Sequence, residues 1–111
     1  MSNHIPTHPG EILKDEIEAR GLTANRFAIE IGVPVTRIGE ILHRRRAVTP
    51  ETALRLAAYF GGSPKVWLSL QADYDLAEAE RKHGREIKRT VSVPVEAEPA
   101  RPTPSNPPTA P

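Results

Sequence analysis

The sequence predicts an all-α protein: five helices in one compact domain, followed by a proline-rich tail. Three observations carry this. Apolar residues recur three and four apart from Leu13 to Ala77. Helix-start and helix-stop residues alternate along the same stretch. Composition then breaks at Pro94, because seven of the 12 prolines lie at 94, 99, 102, 104, 107, 108 and 111, where no apolar spacing is left. Residues 1–93 are therefore the expected domain, and 94–111 the expected disordered, polyproline-like tail. The tail suits a plain extension better than a peptide ligand for a proline-binding module.

Each element has its own reason. The first helix, "HPGEILKDEIEARGL", places Leu13 and Ile17 four apart beside Ile12. Glu11, Asp15 and Glu16 suit the positive end of its dipole, and Gly21 follows its end. Thr23 is the expected N-cap of the second helix, "ANRFAIEI", and Gly32 its stop. Pro34 fits the first turn of the third, "VTRIGEIL". The fourth, "VTPETALRLAAYFGG", has Thr49 as cap, Pro50 at its first position and a Gly pair as stop. The fifth starts at Ser63 and Pro64 and is expected to stop at Gly84. Its Trp67, Leu70, Tyr74 and Ala77 form a stripe that suits core or a dimer contact. Beyond it, Ile87, Val91 and Val93 allow a short edge strand.

Composition excludes several classes. There is no cysteine, hence no disulfide and no thiolate metal site, which agrees with a reducing cytoplasm. The N-terminus lacks a basic segment followed by an apolar run, and the longest apolar run is only "LAAYF", so neither a signal peptide nor a membrane span is expected. No phosphate-cradling glycine loop and no His-Glu-x-x-His pair is present, so no enzyme and no cofactor is expected. His4 and His8 are four apart, but Pro6 between them favours a frayed N-terminus over a metal site. Asp73, Asp75, Glu78 and Glu80 suit a solvated face, partly paired with Arg81 or Lys82.

The stretch Phe27–Ile41 sets the function. The second and third helices meet across Gly32 and Val33, so they must cross steeply, as in a helix-turn-helix spanning 23–42. Ala28 is small where the helices cross; Gly32 permits the positive φ of an abrupt stop. Phe27 and Ile31 face inward, met by Ile38 and Ile41 with Val35 or Leu42. The outward face of the third helix is then Thr36, Arg37, Gly39, Glu40 and His43, free for a major groove. Arg44, Arg45 and Arg46 follow at once. Between Val35 and Arg55 five basic residues oppose two acidic ones, a local +3 in a chain of +1. Such a cluster fits phosphate contacts. Thr36 is placed to meet a base or a thymine methyl, and Glu40 to accept from a cytosine amino group. Gly39 permits close approach, and Arg37 reaches a guanine or a phosphate. Thr23, Asn25 and Arg26 open the second helix, whose N-terminus suits phosphate. One motif reads one half-site, so a homodimer on a palindromic operator of double-stranded DNA is expected, with half-sites about 34–36 Å apart. Its expected dimer surface is the fifth helix and the segment to Val93, through Trp67, Leu68, Leu70 and Tyr74.

These residues resemble the Cro/repressor-like, or XRE, helix-turn-helix family. More closely, "HPGEILKDEIEARGLT", "VTPETALRLAAYFGGSPKVWLSLQADYDL" and their order resemble the HigA-type antitoxins of bacterial toxin–antitoxin operons. The likeness covers roughly His8 to Leu76; the proline-rich tail is outside it. It implies a protein that represses its own operon and neutralises a cognate HigB-type toxin that cleaves mRNA on the ribosome. A stand-alone XRE regulator without a toxin is the alternative.

Overall fold

A computed structural model describes residues 6–95. The predicted tail lies almost wholly outside this range, as does His4. The chain forms α1 (Pro9–Ala19), α2 (Ala24–Ile31), α3 (Val35–Leu42), α4 (Pro50–Phe60) and α5 (Pro64–Thr90). The all-helical, five-helix prediction holds, and the described residues contain no strand.

Local chemistry explains the starts. Thr23 Oγ1 accepts from Arg26 N, Thr49 from Thr52 N and Ser63 from Lys65 N, each satisfying a first-turn N–H that the helix itself leaves unpaired. Proline occupies the first helical position of α1, α4 and α5. Pro34 differs from expectation by one residue: it is the N-cap of α3, not a residue of its first turn. Gly32 ends α2 at φ 75°, and its N–H and that of Val33 return to the last turn of α2.

Three expectations fail. Gly84 does not stop α5, which continues to Thr90. A mid-helix glycine costs only about 1 kcal/mol. No proline follows until Pro94, and Lys88 and Arg89 suit the negative end of the dipole. For the same reason Ile87 belongs to α5 rather than to an edge strand. Nor is His8 frayed. It is 2 % exposed and N-caps α1, its Nδ1 accepting from Gly10 N at 2.8 Å. Tyr74 of α5 stands edge-on to its ring at 4.8 Å. Burial pushes the His8 imidazole below its ordinary value; the nearby Asp75 opposes this and Arg44 reinforces it.

The core gathers Leu13 and Ile17 of α1, Phe27, Ala28 and Ile31 of α2, Ile38 and Ile41 of α3, Ala53 and Leu56 of α4, and Trp67 of α5. Trp67, Leu68 and Leu70, expected as surplus for a dimer, are used here instead. Phe27, Tyr59, Phe60 and Trp67 form a chain of ring contacts that ties α2 to α4 and α5. At Gly10 α1 lies tightly against α3: a Cβ there would lie 1.9 Å from the Ile41 carbonyl oxygen. That contact fixes the C-terminal end of α3, and with it the arginine loop.

Candidate nucleic-acid interface

The third helix has the two faces expected of it. Ile38 and Ile41 are fully buried. Thr36 and His43 are exposed, while Arg37, Gly39 and Glu40 are half-buried. Leu42, not Val35, completes the inward stripe; Val35 is 43 % exposed. No heavy atom comes within 4 Å of a Cβ built on Gly39, so nothing inside the protein requires a glycine there. The His43 Nδ1–H donates to the Gly39 carbonyl at 2.8 Å, which leaves Nε2 turned outward.

The charged residues around this face are less free than composition suggests. Arg46 Nε donates to Glu40 Oε1 at 2.6 Å. Arg44 pairs with Glu11 of α1 at 3.1 Å, and Arg37 stands 3.9 Å from Glu51 of α4. Arg26 pairs with Glu30 at 2.8 Å. Hydrogen bonds from the Tyr59 hydroxyl and from Arg26 hold the Glu30 carboxyl below its ordinary range. Arg45 is exposed and makes no ion pair among the described residues. Among the described residues, Arg44 is the non-glycine residue with positive φ, at 63°. This left-handed turn folds the loop back towards α3, where the Arg45 N–H donates to the Glu40 carbonyl at 2.7 Å, at a cost of about 1 kcal/mol.

Residues 13–67 match the helix-turn-helix family described as HTH_3. The chain is 41% identical to an addiction module antidote protein of a HigA family from Coxiella burnetii, with a TM-score of 0.76, over 81% of this chain and 99% of that one. The likeness thus extends far beyond the two-helix motif. This chain belongs to the HigA-type antitoxin family of helix-turn-helix proteins. It is also 37% identical to antitoxin GraA, solved in complex with its operator, over 84% of this chain and 95% of that one, with a TM-score of 0.76. Virulence-associated protein I of Dichelobacter nodosus shares 46% identity over 81 residues, 71% of this chain and 75% of that protein. The family is not one of enzymes.

Within this HigA-type frame, the residues singled out from sequence fall into two groups. Thr36, Arg37, Gly39, Glu40 and His43 share one side of α3, with Arg44, Arg45 and Arg46 at its end. Thr23, Asn25 and Arg26 lie at the start of α2, but the Thr23 hydroxyl is already engaged as a cap. The sequence reading missed three contributors. Glu11 holds Arg44, Glu51 faces Arg37, and Arg55 Nη1 caps the Ile31 carbonyl at the end of α2 at 2.9 Å. No local spacing announces contacts between residues so far apart in the chain. An open cleft of about 420 Å³ between α1 and the end of α3 is lined by both charge signs, Glu11, Asp15 and Glu18 against Lys14 and Arg44. Among the described residues, no group of three His, Asp or Glu side chains is gathered as a metal site requires. No described helix is long and apolar enough to cross a membrane.

Proposed function

We propose that this protein is the antitoxin of a type II toxin–antitoxin system. It acts as a cytoplasmic homodimer that binds a palindromic operator, represses its own operon, and neutralises a HigB-type mRNA-cleaving toxin. The observation that carries this is the likeness to HigA-family proteins along α1 to α5 rather than over the two-helix motif alone. The geometry supports the DNA-binding half. Ile38 and Ile41 anchor α3 from behind, so Thr36, Gly39 and His43 project towards a major groove. Arg45, exposed and unpaired among the described residues, supplies phosphate contact beside them, and Arg44 joins it by exchanging Glu11 for a phosphate. Asn25 and Arg26 approach the backbone at the N-terminus of α2.

The second copy covers the outer side of α5. Leu76 and Ile87 are 65% and 51% exposed, and at eleven residues apart they fall on one side of the helix. Val91 and Val93 continue the apolar surface at 59% and 76% exposure. On α5 and the segment after it, these residues, rather than Trp67, Leu68 and Leu70, form an exposed apolar surface.

Co-expression tests the toxin half. The product of the adjacent gene should arrest growth, this chain should relieve the arrest, and the two should co-purify. An adjacent product that does not arrest growth, or an arrest this chain leaves unrelieved, makes a stand-alone regulator the better account.

A further inference from the structure

The Glu40–Arg46 pair does not fit the roles that its residues have individually. Glu40 sits on the outward face of α3, where a free carboxylate accepts from cytosine. Arg46 lies in the loop beyond, where a free guanidinium meets phosphate. In the structure neither is free: Arg46 turns back over the outward face, and its Nε meets Glu40 Oε1 at 2.6 Å. Both side chains remain close to half exposed, 49% and 42%. An exposed ion pair of this kind contributes only about 0–1 kcal/mol to stability. Its consequence is geometric. The Nε–H is used by Glu40, while Nη1 and Nη2 have no hydrogen-bond partner among the described residues. The outer fork of the guanidinium is therefore held open at the surface of α3.

Such an arrangement is poor for phosphate and good for a base. A carboxylate at the guanidinium nearly cancels its charge, which is what phosphate attraction depends on. Bidentate donation to O6 and N7 of guanine depends instead on a planar fork held at the right angle. A pre-positioned arginine also loses less rotamer freedom on binding. We propose that Arg46 reads a guanine in each half-site and that Glu40 is its positioning residue, not a reader of cytosine. The inference rests on the DNA-binding reading above.

Selection of the wild-type protein against a random duplex pool defines the preferred site. Competition binding against one-base substitutions of that site, at two salt concentrations, then compares wild type with R46A, R46K and E40Q; circular dichroism verifies that each is folded. R46A should lose its preference for guanine at one position per half-site, about 5- to 150-fold. The salt dependence should stay nearly unchanged. R46K keeps the charge but not the fork, so it should show the same loss. E40Q should weaken the preference at that same position. Three results overturn the proposal while leaving DNA binding intact: R46A weakening all sequences alike with the salt slope reduced by about 0.9, R46K retaining the guanine preference, or E40Q altering a different position. A wild-type protein that selects no sequence overturns the DNA-binding reading itself, and this one with it.

Discussion

Gly10→Ala is a single added methyl group at a helix start, where alanine ordinarily helps. Here it should be damaging. The new Cβ would stand 1.9 Å from the Ile41 carbonyl oxygen and 2.9 Å from its carbon, so the oxygen must retreat by about 1.5 Å to reach ordinary contact. It cannot do so alone. It belongs to the backbone of α3, it accepts the Arg44 N–H at 3.0 Å, and the Ile41 side chain is fully buried. Overpacking costs about 1–3 kcal/mol, and an obstacle made of backbone belongs at the upper end. Alanine's helix preference returns at most about 1 kcal/mol. The expected net loss is about 2 kcal/mol, or a fall in Tm of about 8–16 °C for a domain of this size. Thermal unfolding followed by circular dichroism measures it directly. Operator affinity should fall as well, because the displaced segment carries Arg44 to Arg46. A G10A protein that melts within about 2 °C of the parent would refute the close contact of α1 with α3.

The other helical glycine at the interface should behave in the opposite way. Gly39→Ala meets no atom of the protein, so Tm should hold or rise, by up to about 1 kcal/mol of added stability; operator binding should nevertheless weaken, and a loss of stability would contradict the open surface. Arg45→Ala should weaken operator and random duplex alike and lower the salt slope by about one, with a changed base preference counting against a phosphate role. His8 makes stability depend on pH. Its folded-state value is lowered from 6.5, so the unfolded chain binds the proton more readily. Stability is then fully present above about pH 6.5 and lost as pH falls through and below that value. Protonation also removes the Nδ1 acceptor that caps Gly10. H8S keeps an acceptor at the cap and should flatten this dependence in denaturation measured between pH 7 and 5; an unchanged slope would assign it to other groups.

What the sequence determined was whatever is local. Thr23, Thr49 and Ser63 mark helix starts because a capping side chain bonds within its own first turn. Gly32 marks the turn because a left-handed residue is needed there. The spacing of Ile38 and Ile41 separates the faces of α3 because helical period and burial are linked along one element. Gly84 misled because a stop residue is only a weak preference, overridden where no proline enforces it. Tertiary structure alone decided the meetings across the chain. His8 looked like part of a frayed end until Tyr74 of α5 closed over it. Glu11 lies 33 residues from Arg44, and Arg55 lies 24 from the carbonyl it caps. Gly10 resembles any small residue near a helix start until α3 is laid against it. Glu40 and Arg46 are only six apart, but their pairing depends on the left-handed turn at Arg44 that folds the loop back. Periodicity and capping are properties of one segment; which charge faces which is settled only when separate segments share a surface.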